Sequence, residues 1–313
     1  MPNYNGVWSL STQYQYAATW NADNPNPAAG LFMGRTNTYN VIQQININSA
    51  GNATDVGDLS AEKLRGAAVG STTRAVHAGG YSVSGDSRSN VIDFVTFASL
   101  GTAGDFGNLT AGRSDCTSMG NATIGVWAGG YTDGSTTVDI MDFVTIASTG
   151  NASDFGNLSA VRANFGGCAS TTRGVVGSGL SEGAARNIIE YITIGSAGNM
   201  TDFGDRTNSV YNSNGASSNT RGLFAGGAST INVIDYITIA STGDASDFGD
   251  LTVGRHGGSN GASNKIRAVF AGGYGSNVID FVTIATTGNA SDFGDLTLTA
   301  QLAGTSASHG GLA

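Results

Sequence analysis

Five Asp-Phe-Gly triplets, beginning at Asp105, Asp154, Asp202, Asp247 and Asp292, are the first residues in this chain to suggest chemistry. In phosphoryl transfer such a triplet holds a magnesium ion, but only beside a glycine-rich phosphate loop and a catalytic-loop base. Neither accompanies it here. The three histidines, His77, His256 and His309, are scattered and lack the Tyr and Cys partners that a copper centre would need. Three arginines converging on a substrate carboxylate would be a second route to catalysis. Arg74, Arg173, Arg221 and Arg267 instead fall at equivalent places before an apolar run, as residues that bridge or cap a repeated scaffold do. Asp93, Asp142, Glu190, Asp235 and Asp280 recur just as regularly. No Ser-His-Asp or metal-ligand spacing stands out. Asn289, Asp292 and Asp295 could surround calcium, yet a motif repeated so often reads first as turn chemistry. The expectation is a non-enzymatic protein with no cofactor and no metal.

Composition narrows the partners. Of 313 residues, 48 are Gly and only 3 Pro, and the net charge is −9. The low proline count and the missing Gly-X-Y period exclude collagen. Short β-branched and aromatic runs supply a core, so the glycines read as turns between strands. Lys63 and Lys265 are the only lysines, and an acidic chain without a basic patch is expected to bind no nucleic acid. No apolar stretch is long enough for a membrane helix, and the first twenty residues lack the basic and apolar regions of a secretory signal. Cys116 and Cys168 are expected to be small buried side chains.

The elements that must carry these residues repeat. With a degenerate copy at Asp55-Val56-Gly57, the triplets are spaced 50, 49, 48, 45 and 45 residues apart. A Gly-Gly pair keeps the same drifting period at Gly79, Gly129, Gly226 and Gly272, with Ser178-Gly179 and Gly34-Arg35 in the remaining copies. The last unit contains four strand-like segments: 255–264, rich in small residues, 267–273, 277–285 and 291–297. The third is apolar on both faces, as in a strand buried between neighbouring sheets. Six four-stranded units of this length predict an all-β, single six-bladed β-propeller with antiparallel blades.

The recurring Arg113, Arg162 and Arg255, the Gly-Gly pairs and the acidic third strand resemble the kelch family of propellers, with Phe of the triplet where kelch repeats carry Trp. Units such as IDYITIASTGDASDFGDLTVGR are similar to those of glycine-rich, kelch-like propellers of marine bacteriophages. That resemblance implies a phage virion structural protein, a tail or fibre component that contributes to host-surface recognition and is made in the host cytoplasm. It further implies contacts with other virion proteins and with a host-surface glycan or protein, no membrane insertion, and leaves homo-oligomerisation open. The alternative is an extracellular glycan-binding or glycan-processing propeller of cellular origin.

Two regions depart from the repeat. Residues 1–29 hold all three prolines and the aromatics Tyr4, Trp8, Tyr14, Tyr16 and Trp20, which suit a docking arm ahead of a propeller spanning 30–313. Packing of that arm on the propeller's own side is the alternative. The connection after Gly-Gly is longest in three consecutive units, 81–89, 131–138 and 180–186. Its residues Tyr81, Arg88, Tyr131, Asp133, Glu182 and Arg186 are the candidate ligand-binding face. The segment 301–313 resembles a fresh first strand and is favoured over 10–19 to close the ring.

Overall fold

The computed structural model describes residues 28–34, 40–82, 85–228, 231–256, 260–299 and 301–312. They form six four-stranded antiparallel sheets arranged as the blades of a propeller. Blade 2 shows the plan, with strands Ala67–Gly70, Arg74–Ala78, Val91–Thr96 and Ser99–Asn108 running in order from the channel outward. Blade 1 is assembled from both ends of the chain. Ala303–Ser306 supplies its innermost strand and pairs antiparallel with Ala29–Met33, Gly30 opposite Ser306 and Met33 opposite Ala303. The C-terminal strand therefore closes the ring. The aromatic arm residues Tyr4, Trp8, Tyr14, Tyr16 and Trp20 lie outside the described residues. Among those described, no helix is long and apolar enough to cross a membrane.

The core consists of six layers, each between two adjacent blades. Phe106 of blade 2, for example, is buried with Trp127, Val144 and Ile146 of blade 3. The Asp-Phe-Gly triplet builds these layers, and here the structure corrects an expectation. The triplet does not sit in a tight turn but forms a β-bulge in the outermost strand. In blade 2, Ile92 faces Gly107 while the next residue, Asp93, faces Asp105, so Phe106 is the extra residue. The same offset recurs in the other five blades. An unpaired bulge residue turns its side chain out of the ladder. Phe106 thus packs edge-on against Phe94, and Phe155, Phe203, Phe248 and Phe293 do the same to their third-strand aromatics. Each such contact adds about 0.5–1.5 kcal/mol to the burial of the ring.

Glycine is required at the bulge for two reasons. Gly156 has φ +142°, and a Cβ there would stand 2.4 Å from the Gly198 carbonyl oxygen of the next blade. Through that close approach the Gly198 N–H donates to the Phe155 carbonyl at 2.7 Å. The neighbouring Asn199 Oδ1 accepts from the Asn157 N–H at 3.0 Å. Asn289, considered above for calcium, makes the same link to the Asp250 N–H. The periodic arginines bridge blades as well. Arg74, Arg173, Arg221 and Arg267 each donate to a carbonyl of the following blade while lying over the aromatic ring of their own third strand.

The recurrent acids and the other set of basic residues turn out to be partners. Lys63–Asp93, Arg113–Asp142, Arg162–Glu190, Arg206–Asp235 and Arg255–Asp280 are ion pairs buried within blades 2 to 6. Blade 5 has Val210 at the usual basic register position, and Arg206 enters from four residues earlier to meet Asp235 at 2.7 Å. Blade 1 lacks both charges, with Gln43 at the acidic position and Ala300 at the basic one. Gln43 Oε1 accepts instead from the N–H and hydroxyl of Thr297. Buried charge is either matched or absent, which assigns these carboxylates to the scaffold.

A buried histidine departs from this pattern. His77 occupies the second-strand position that carries Phe32, Trp127, Val176, Phe224 and Phe270 in the other blades. It is 1% exposed, and among the described residues neither ring nitrogen has a hydrogen-bond partner. Burial, reinforced by the Lys63 charge, lowers its pKa to about 3. Below about pH 6.5 the unfolded chain binds a proton that the folded chain refuses until pH 3, so stability falls as pH falls through that window. His77→Val is therefore expected to be at least as stable as wild type at pH 7.5 and to lose less on acidification. Urea unfolding of both proteins at pH 7.5 and 4.5 measures the difference. Asp115, whose pKa burial raises, is common to both chains and cancels in the comparison. Parallel losses in the two proteins would refute the assignment.

Candidate functional site

The two ends of the central channel differ. Asn260 reaches across it near the start of the innermost strands, its Nδ2 donating to the Ser118 carbonyl and hydroxyl at 2.9 Å while its Oδ1 accepts from the Gly167 N–H at 3.0 Å. At the end beyond Asn260, His309 Nε2 lies 2.7 Å from the Gly70 carbonyl. Gly311 packs so closely that a Cβ there would stand 2.0 Å from the Gly120 carbonyl oxygen. The other end, where the innermost strands begin, opens into a cup of about 340 Å³.

The backbone of the cup is set by one register position. Two residues after the recurrent basic residue, the chain turns into the innermost strand with positive φ: Arg65 at 58°, Asp115 at 57°, Asn164 at 60° and Asn212 at 60°. Asn and Asp tolerate this region and Arg does so less readily, so each side chain is retained against a conformational cost. In the last three the N–H donates to the carbonyl of the equivalent residue one blade back. Asp115 donates to Arg65 at 2.7 Å, Asn164 to Asp115 at 2.8 Å and Asn212 to Asn164 at 2.6 Å. Three hydrogen bonds thus link these positions from blade 2 to blade 5, with an arginine, an aspartate and two asparagines mounted on one repeated frame.

Asp115 is the most buried of the four, at 8% exposure. Burial raises its pKa, against the opposing effects of Arg65 and of the Ser114 hydroxyl, which donates to Oδ2 at 2.7 Å. Arg65 Nη1 stands 3.5 Å from Asp115 Oδ1, and Arg65 Nε donates to Gln301 Oε1 at 3.3 Å. Cys116 and Phe165 contribute to the lining and are themselves buried. Desolvation pushes the Cys116 thiol up to about 11 and that of Cys168 up to about 12, so both are protonated and inert. Tyr131, Tyr211 and a stacked pair, His256 and Tyr274, complete the wall. The pair has ring centroids 5.4 Å apart at 15°, and Tyr274 is 76% exposed.

The candidates chosen from loop length divide here. The long connections are hairpins, not irregular loops: Tyr81–Ser82 with Ser87–Arg88, Tyr131–Thr132 with Thr136–Thr137, and Leu180–Ser181 with the start of Ala184–Thr193. Tyr81, Arg88, Tyr131 and Asp133 come together beside the cup. The Arg88 guanidinium lies 5.7 Å from the Tyr81 ring centre and 5.9 Å from that of Tyr131. Its backbone N–H donates to Asp133 Oδ1 at 2.9 Å, and its Nε donates to the Ser114 hydroxyl. Arg88 is thereby engaged in joining two hairpins, and a side recess of about 190 Å³ remains between them. Glu182 and Arg186 belong to the blade 4 hairpin, outside this group. Glu182 is exposed at its tip with φ 51°, and Arg186 pairs with Val210.

Loop length pointed to the rim on which the cup opens, but not to Arg65, Asp115, Asn164, Asn212, Tyr211 and Tyr274, which line it. For the first five the signal lay in the repeats, because the pair of residues after the basic position reads Leu64-Arg65, Ser114-Asp115, Ala163-Asn164 and Tyr211-Asn212, whereas Tyr274 follows its Gly-Gly pair as Tyr81 and Tyr131 do. Among the described residues, no group of three His, Cys, Asp or Glu side chains is placed to hold a metal ion. No protein-family model matches the chain, and no curated protein matches it significantly.

Proposed function

We propose that this propeller is a non-enzymatic recognition protein, a structural component of a phage tail or fibre that meets the host surface through the rim around the cup. The observation carrying the binding role is the contrast between frame and side chains. Bulges, ion pairs and inter-blade bonds recur, while the same backbone position carries Arg65, Asp115 and two asparagines, Asn164 and Asn212, and the residue before it changes from Leu64 to Ser114, Ala163 and Tyr211. Variation on a rigid repeated frame is how repeat proteins build binding surfaces. The phage context rests on the resemblance of the glycine-rich units, and the aromatic arm 1–29 is the part proposed to dock on other virion proteins.

Immunogold electron microscopy of purified particles, with antibody raised against the full chain, tests this reading. Label at one fixed place on the tail or its fibres is the expected result. Label absent from intact and opened particles, with the protein free in solution, would overturn it.

A further inference from the structure

We infer that the cup binds one ring of a neutral glycan, an inference that rests on the recognition role proposed above. The polar groups around the cup are mainly those that can bind a hydroxyl in either direction. Asn164, Asn212 and Gln301 each present an amide that donates and accepts, and Asp115 adds an acceptor in a largely desolvated position. Adjacent sugar hydroxyls are themselves donors and acceptors, so paired amides satisfy them where a purely cationic or purely acidic site would not. Asn164 Nδ2 has only a 3.5 Å contact with the Tyr131 hydroxyl, so most of its hydrogen-bonding capacity faces the cup.

Charge and shape exclude the competing ligand classes. Arg65 is the only arginine or lysine among the described residues lining the cup, and Asp115 beside it offsets its charge. A phosphate or polyanionic chain would find no cluster of donors there. Three tyrosines and a carboxylate could suggest a cage for a quaternary ammonium, but the Arg65 guanidinium occupies the field of that carboxylate. Aromatic faces also suit the C–H face of a pyranose, and the exposed Tyr274 is held flat by its stack on His256. The volume lies near the lower end for small-molecule pockets, enough for one ring and not for an oligosaccharide.

None of these side chains is needed to form the frame, which makes them removable. Asn212→Gly keeps the positive φ without strain, and Tyr274→Ala removes a ring that is mostly in solvent. Ile266→Ser, on the opposite rim, serves as the control. Saturation-transfer NMR and titration of the full chain would use the methyl glycosides of glucose, galactose, mannose and N-acetylglucosamine. Sialate and choline serve as anionic and cationic probes. At least one neutral glycoside is expected to bind, with its ring C–H protons saturated. Affinity should fall at least tenfold in Asn212→Gly and in Tyr274→Ala and stay unchanged in Ile266→Ser. It should also be insensitive to salt between 50 and 500 mM.

Preference for sialate or choline, or no neutral glycoside bound at 50 mM, would overturn the ligand class. Particles carrying Tyr274→Ala separate that failure from failure of the recognition role. If they lose host adsorption while no glycoside binds, the rim still recognises the host and the neutral-glycan inference alone falls. If adsorption is also unchanged, both fall.

Discussion

Arg113→Met lowers the unfolding free energy by about 3–5 kcal/mol, and adding Asp142→Gln to that variant restores more than half of the loss. The cost arises from what the substitution leaves behind. Arg113 and Asp142 are both fully buried, with Nη2 and Oδ2 2.6 Å apart. Nη1 also donates to the carbonyls of Gly129 and Ile140 at 3.1 and 2.7 Å. Without the guanidinium, Asp142 retains only the N–H and hydroxyl of Thr110 in a site closed to water. The repeats contain their own control. Blade 1 has neither charge, and its Gln43 accepts from Thr297 as Asp142 does from Thr110. The double variant copies that solution, while the two carbonyls and the space vacated by the guanidinium keep recovery incomplete. A double-mutant cycle in urea gives the coupling directly. A loss below about 1 kcal/mol in Arg113→Met, or no recovery in the double variant, would show that these pairs do not carry the blades.

The same pairs show how much of the molecule could be read from the sequence. Four strands per unit, the buried third strand and the closing C-terminal strand follow from local pattern, because alternation and glycine spacing are properties of neighbours in the chain. The partnership of Arg113 with Asp142 is not local. The two recur with one period, which marks both as scaffold, but only the fold brings positions 29 residues apart into contact. Arg206 was harder to anticipate, since it reaches Asp235 from a register position that holds Leu109 or Leu251 in other blades. The bulge was hidden for a similar reason. Asp-Phe-Gly is rich in turn formers, and a bulge needs the same positive-φ glycine that a turn does. As for the cup, long hairpins announced Tyr81 and Tyr131. Arg65, Asp115, Asn164 and Asn212 sit in short connections, and it is the ring that brings their side chains to one mouth.

Ending the chain after Thr299 is expected to abolish the cooperative fold, whereas ending it after Ala307 leaves the blades intact. The first truncation removes Ala303–Ser306 and exposes the whole inner edge of Ala29–Met33, including the buried Leu31, Phe32 and Met33. An apolar strand with an unpaired ladder invites pairing between chains, so the truncated protein should elute as soluble aggregate or precipitate. The loss extends beyond blade 1. Pairing of Ala303–Ser306 with Ala29–Met33 joins the two ends of the chain in one sheet, and without it the layers between blades 1 and 2 and between blades 6 and 1 both lose a wall. The second truncation keeps the strand and deletes His309–Leu312, whose contacts are His309 with Gly70 and the close packing of Gly310 and Gly311 at the channel end. That plug fills space without closing a sheet, so its removal should lower the melting temperature by only a few degrees. Size-exclusion chromatography and thermal unfolding of both truncations make the comparison, and a synthetic peptide of residues 301–313 supplies the missing strand in trans. Recovery of a monomeric, cooperatively melting protein on adding the peptide would locate the whole effect in the strand pairing. A truncation after Thr299 that stays monomeric with an unchanged melting curve would mean that the blades hold the ring closed without this clasp.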